Sequence, residues 1–243
     1  MHSTQIQFLA HATFKITTPE GKIVIVDPWL INNEFIREED RHQEVIDLML
    51  ITHGHDDHFD SQLPEIIQQT QAKVIANSIC RWYLIEKGLP GSTFEPMNVG
   101  GTISLLDLKV SMVNAFHLSH INISEEKTTH PHPAVGYVLH LSDDIRIYFA
   151  GDTSVFGDMA LIGEIYKPNI VVLPIGDRYT MGPLEASYAV RLLKAKHVIP
   201  FHYGTYSALT GTPEALAELT KDVEGLQIHA LKAGETLDCK RLH

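Results

Sequence analysis

Within His53-Gly54-His55-Asp56-Asp57-His58, four side chains of metal-ligand type, His53, His55, Asp57 and His58, have the spacing H-x-H-x-D-H. Neutral imidazole and ionised carboxylate are the groups that hold Zn²⁺ and related divalent ions at neutral pH. The apolar run Leu48-Met49-Leu50-Ile51 leads into them and reads as a strand. Extended backbone throws alternate residues to one side, so His53 and His55 can point together. A chain that turns helical at Asp56 brings Asp57 and His58 to the same cavity from another direction. One short segment can thus serve two metal positions. The competing reading, a histidine-rich surface turn, accounts poorly for so many ligand types at one strand end.

Further polar groups sit where apolar runs stop. Asp27 follows Val24-Ile25-Val26, His117 follows the run ending at Asn114-Ala115-Phe116, Asp152 follows Ile147 to Gly151, and His202 follows Val198-Ile199-Pro200-Phe201. Taken singly, Asp152 could cap a turn and His202 could be a satisfied core imidazole. Loops at one edge of packed sheets converge on a cleft, and that common placement favours one shared site.

The elements that must place these groups are legible in outline. Short strands are expected at Gln5 to Leu9, Thr13 to Thr17, Lys22 to Val26, Asp47 to Ile51 and Lys73 to Ala76. More follow at 102–106, 108–114, 135–141, 145–150, 170–174, 197–200 and 228–231. Helices are predicted from Asp60 or Ser61 to Gln69, from an Asn77 cap to Lys87, from Asp158 to Tyr166, over Pro183 to Lys194, and from Thr212 to Gly225. Residues 32–43 read as loop or a short surface helix, and 118–133 as a polar loop that places His130 and His132 at the surface or cleft rim. Two similar halves, each a sheet with outer helices, make an α/β four-layer αββα sandwich, read as one domain over 1–243.

The chain has 243 residues, 44% hydrophobic and 20% charged, with a net charge of −11. That balance gives a sizeable core and argues against a nucleic-acid backbone as partner, which needs a basic face. The first residues do not read as a secretory signal, and no apolar run nears the ~20 residues of a membrane span. Cys80 and Cys239 lie far apart and read as reduced thiols of a cytoplasmic protein. Fifteen histidines exceed what packing requires. Homo-oligomerisation is left open.

These residues resemble the metallo-β-lactamase superfamily over nearly the whole chain. The resemblance rests on Asp27, Thr52 to His58, His117, Gly151-Asp152-Thr153 and Pro200-Phe201-His202-Tyr203, with Leu9 to Phe14 and Pro174 to Pro183 in support. It is nearest a group of small cytoplasmic metal-dependent hydrolases related to ascorbate-6-phosphate lactonase. It implies two divalent cations, with Zn²⁺ the first choice and Mn²⁺ or Fe suited to the same donors. His53, His55 and His117 would hold one, Asp57, His58 and His202 the other, and Asp152 would bridge them. Asp27 would orient the histidines. His117 is preferred over His120 because it directly follows the strand. Asp57 and His11 would be catalytic, and Asp177, Arg178 and Tyr203 would contact substrate, Arg178 through an anionic group.

The expected activity is hydrolysis of a small-molecule ester, lactone or related bond by a metal-activated water. The alternatives are a phosphodiesterase acting on nucleotides or phospholipid-like molecules, and a non-catalytic metal-dependent sensor on the same fold.

Overall fold

The computed structural model describes residues 3–124, 127–129 and 131–242. Strands β1 (Gln5–Ala10), β2 (Thr13–Thr17) and β3 (Ile23–Val26) form an antiparallel meander. A one-turn helix α1 (Glu38–Arg41) precedes β4 (Leu48–Ile51), helix α2 (Leu63–Thr70), β5 (Lys73–Ala76) and helix α3 (Ser78–Glu86). Strands β3, β4 and β5 run parallel to one another. Next come β6 (Thr102–Leu105), β7 (Leu108–Ser119), the small pair β8 (Asn122–Ser124) and β9 (Lys127–Thr128), then β10 (His132–Leu141) and β11 (Arg146–Phe149). Helix and strand then alternate through α4 (Met159–Tyr166), β12 (Ile170–Pro174), α5 (Pro183–Leu193), β13 (His197–Phe201), α6 (Pro213–Leu219) and β14 (Gln227–Ile228), with β15 (Thr236–Asp238) last.

Among the described residues one sheet has the order β15-β1-β2-β3-β4-β5 and a second the order β14-β13-β12-β11-β10-β7-β6. Strand periodicity explains how they stack. In β4, Leu48 and Leu50 enter the layer between the sheets while Met49 and Ile51 face α2 and α3. In β12, Val172 points between the sheets while Val171 and Leu173 lie under α4 and α5. Strands buried on both faces are continuously apolar, which is why these runs show no alternation. The result is the four-layer αββα sandwich. Each fully buried Leu, Ile or Phe contributes about 1.5–3 kcal/mol. No described helix is long and apolar enough to cross a membrane.

Several boundaries differ from expectation. Asp60 does not cap α2; its buried carboxylate accepts the N–H groups of Leu30, Ile31 and Asn32 at 3.0, 2.7 and 3.0 Å. Those amides after β3 outcompete the helix end, which begins two residues beyond Ser61. Asn77 does cap α3, accepting from Ile79 and Cys80 N–H. Asp158 heads α4 without a side-chain cap bond, and α6 stops at Leu219. The segment read as a polar loop is largely strand, since β7 runs on to Ser119 and pairs with β10 through Ser119↔His132 and Leu118↔Pro133. Its exposed positions carry Phe116 and Leu118 and its inward ones His117 and Ser119, the reverse of the usual amphipathic pattern. His132 is accordingly buried in β10, not at the surface, and His130 lies outside the described residues. Strand β15 was not anticipated; it is short, polar, and defined by pairing with β1.

Candidate metal centre

Strands β3 and β4 are parallel neighbours, so the residues just past their ends meet. Asp27 accepts the Thr52 N–H at 2.7 Å and the Thr52 hydroxyl at 2.8 Å, and accepts from His58 Nδ1 at 2.8 Å. Since the Thr52 hydroxyl proton goes to Asp27, Thr52 Oγ1 accepts from His53 Nδ1 at 2.9 Å. Both imidazoles are then fixed in the tautomer whose Nε2 carries a lone pair. The turn is also sewn to the second sheet: Val135 N–H donates to the Thr52 carbonyl at 3.0 Å and the Tyr137 hydroxyl to that of Ile51 at 2.8 Å. Gly151 faces Thr52 at left-handed φ (+62°), where an added Cβ would lie 2.9 Å from the Val135 carbonyl oxygen. No larger residue fits before Asp152.

The remaining groups arrive from other strand ends on the same edge. His117 lies near the end of β7, Asp152 past β11, His202 past β13, and His11 on the β1–β2 turn. His11, Asp27 and His202 have φ of +55°, +49° and +56°, backbone that ordinary residues adopt at a cost of about 1–2 kcal/mol each. Such strain collects where geometry serves a site. The His202 N–H donates to the His11 carbonyl at 3.0 Å, which holds two of these residues to each other.

Among the described residues two four-membered clusters result, each with its donor atoms within 4.8 Å of one another: His53, His55, His117 and Asp152 in one, His11, Asp57, His58 and His202 in the other. A third group, Asp27, His53 and His58, is the supporting hydrogen-bonded set above. His55 Nδ1 is 3.1 Å from His53 Nε2 and 3.2 Å from His117 Nε2. Those separations approach the ~3.3 Å edge of a tetrahedron with metal–nitrogen bonds of about 2.0–2.1 Å. Asp152 faces both clusters: Oδ1 is 3.2 Å from His58 Nε2, and Oδ2 is 3.3 Å from His202 Nε2 and 3.8 Å from both His53 and His117 Nε2. His58 Nε2 and Asp152 Oδ1 are buried without a hydrogen-bond partner. Orphaned buried atoms are costly unless a ligand meets them.

The charge states suit a cation. Burial holds His53 well below its ordinary pKa and brings His55 to about 4; His117 is lowered for the same reason. Burial acts to raise Asp57 and Asp152, yet the imidazoles around them outweigh it and both carboxyls are held below the usual range. Neutral imidazoles and ionised carboxylates are the coordinating forms. At His58 burial acts downward, but Asp152, Asp27 and Asp57 outweigh it and raise the ring, so this spot favours positive charge. The donors therefore fit a metal centre.

His11 behaves differently. Its Nε2–H donates to Asp57 Oδ2 at 3.0 Å, because a carboxylate only accepts, and Nδ1 then accepts from the Thr205 hydroxyl at 2.7 Å. Both ring nitrogens are engaged, so His11 holds Asp57. His120 stands edge-on to His55 at 5.2 Å between ring centres and belongs to neither cluster. Asp177 and Arg178 are exposed on the loop after β12, which Met181 N–H ties to the Thr153 carbonyl at 3.0 Å, one residue beyond Asp152. Tyr203 does not join the cluster; its ring packs against the core beneath the helices of the second sheet. Sequence reasoning passed over Thr205 and Tyr206. Tyr206, 42% exposed, lies 5.7 Å from the His11 ring and 5.4 Å from Phe35. Their only signal was closeness in sequence to His202.

Known proteins show the family and the fold. A family model described as the beta-lactamase superfamily domain matches residues 5–202. The chain is 43% identical over 235 residues to a UPF0173 metal-dependent hydrolase of Rubrobacter xylanophilus, covering 96% of each. It is 40% identical over 236 residues to another from Koribacter versatilis, covering 97% of this chain and 98% of that one. Among solved structures it is similar to Igni18, a metallo hydrolase from the hyperthermophilic archaeon Ignicoccus hospitalis, with TM-score 0.82, 27% identity and 97% of both chains covered. The chain belongs to the metallo-β-lactamase superfamily, as one of its metal-dependent hydrolases.

Proposed function

We propose that the chain is a dinuclear hydrolase acting on an ester, lactone or related bond of a small molecule. The observation that carries this is Asp152, whose Oδ1 faces His58 of one cluster and whose Oδ2 faces His202 of the same cluster and His53 and His117 of the other. His53, His55 and His117 would hold one ion, Asp57, His58 and His202 the other, and Asp152 both. Zinc is the first choice on this donor set, with manganese or iron compatible. Such ions supply Lewis acidity and a nucleophile drawn from water at neutral pH.

The chain's own residues supply the rest. Asp27 and Thr52 set the tautomers of His53 and His58. The Asp57 side chain is 27% exposed while His58, His202 and Asp152 are buried, so Asp57 is the carboxylate that incoming substrate and solvent reach. It is the group to take a proton from the attacking water and release it to the departing oxygen. His11, donating to Asp57 and backed by Thr205, keeps that carboxylate turned toward the centre. Tyr206, in ring contact with His11 and Phe35, would offer an apolar wall beside His11 and Asp57, and Asp177 and Arg178, exposed on the loop tied to Thr153, would meet polar parts of the substrate. The buried free thiols Cys80 and Cys239 suit a reducing, cytoplasmic setting.

The test is elemental analysis of protein purified without chelators, followed by assay against lactones, esters, thioesters and phosphodiesters. We expect close to two transition-metal ions per chain, turnover of a carbonyl substrate, and loss of that turnover in Asp57→Ala with the fold retained. Metal-free active protein, or undiminished activity in Asp57→Ala, overturns the reading; turnover confined to phosphodiesters replaces its substrate class.

A further inference from the structure

Behind the His53–His55 turn lies a buried polar chain that contributes no atom to either cluster. Gly54, between the two histidines, donates its N–H to Ser119 Oγ at 3.1 Å. The same hydroxyl lies 3.1 Å from His132 Nε2, and Cys80 Sγ is 3.7 Å from that nitrogen. Ser119, His132 and Cys80 are all buried. Ser119 sits two residues past His117 on β7, so the two share a side of the strand, and His132 is its direct partner across the β7–β10 ladder. Ser119 therefore joins the turn carrying His53 and His55 to the strand carrying His117.

Packing leaves the turn one place to sit. A Cβ on Gly54 would fall 2.3 Å from Ile121 Cγ1 and 3.3 Å from the His120 carbonyl oxygen, so the turn presses directly on the chain that follows Ser119. Contact alone fixes its distance from β7; the hydrogen bond from Gly54 fixes the orientation of the peptide, and with it the two flanking imidazoles. A buried hydroxyl held by a second side chain loses little further freedom when it accepts that bond.

We propose that Ser119, backed by His132, is a positioning residue that sets the cation affinity of the His53–His55–His117 position without touching the ion. The inference rests on reading that cluster as a metal position. Groups that orient metal-binding histidines change affinity by roughly 10–100-fold when removed.

The experiment titrates Zn²⁺ into full-length, chelator-stripped protein against a chromogenic chelator, with the Co²⁺ absorption spectrum as a readout of ligand geometry. Ser119→Ala should weaken one of the two zinc affinities by roughly 10–100-fold, leave the other within about threefold, and alter the Co²⁺ band of the weakened position. Ser119→Thr, which restores the hydroxyl, should recover the affinity. His132→Gln should shift the same position in the same direction, and it serves alone if Ser119→Ala does not fold. Unchanged affinities, or equal weakening of both positions in step with a fall in the melting temperature of the stripped protein, overturn the inference alone. Wild-type protein that takes up no zinc overturns the metal reading as well.

Discussion

Replacing Asp27 by Asn changes the charge and hydrogen-bonding of the centre's support while keeping its shape. The carboxylate accepts three bonds, from Thr52 N–H, the Thr52 hydroxyl and His58 Nδ1, at 2.7–2.8 Å. A carboxamide accepts at one oxygen only and presents N–H where the other stood, so at least one buried donor faces a donor. That costs about 1–3 kcal/mol in the metal-free protein. His58 also exchanges a charged acceptor for a neutral one, and weakening the group that orients a metal-binding histidine lowers metal affinity by roughly 10–100-fold. With metal at about 100 times the wild-type Kd, binding stabilises the wild type by about 2.7 kcal/mol, and the variant by about 0.4–1.4 kcal/mol. At about 2–4 °C per kcal/mol for a chain of this size, the metal-induced rise in Tm should shrink by about 3–9 °C. Differential scanning fluorimetry with and without added Zn²⁺ reads both effects. Asp222→Asn, which removes an exposed ion pair with Arg191, is the control and should change Tm little. A metal-induced rise in Asp27→Asn equal to the wild type's would refute the role given to Asp27.

His117→Ala should lower bound metal far more than His120→Ala, measured by inductively coupled plasma mass spectrometry; the reverse would reassign the third imidazole. Tyr137→Phe removes the bond to the Ile51 carbonyl between the sheets and should cost about 1–2 kcal/mol, read as a lower midpoint in urea with unchanged slope. Cys80 and Cys239 are buried, and burial pushes the Cys239 thiol up to about 12 and Cys80 above the ordinary thiol range. A disulfide-exchange reagent at pH 8 should therefore label almost no thiol in folded protein and two per chain after denaturation. Rapid labelling of the folded chain would contradict the packing around α3 and β15.

The two-sheet sandwich was readable because β4, β12 and residues 198–201 of β13 are continuous apolar runs that only a covered sheet accommodates. Asp27, Asp152 and His202 stood out as candidates because each follows a strand, whereas His117 lies within β7. What escaped depends on contacts distant in sequence. β15 pairs with β1 at the other end of the chain, and nothing in Thr236-Leu237-Asp238 announces it. Asp60 looks like a helix cap until the amides after β3 are seen to converge on it. His132 reads as a loop residue beside two prolines, yet the ladder to β7 places it indoors. Tyr203 reads as a substrate contact because it follows the end of β13 on the common edge, but past the left-handed His202 its ring packs toward the helices.

Asp152 stands at the seam where the two sheets meet, with donors reaching it from β4's turn on one side and from β7 and β13 on the other. An ion held there, as proposed, would tie the two halves together, so that metal supply and mechanical slack would become the same variable. Depleting the ion should let amide protons at the β4 and β13 ends exchange faster, well before the outer helices loosen. The protein would then report on metal scarcity by loosening at its seam first.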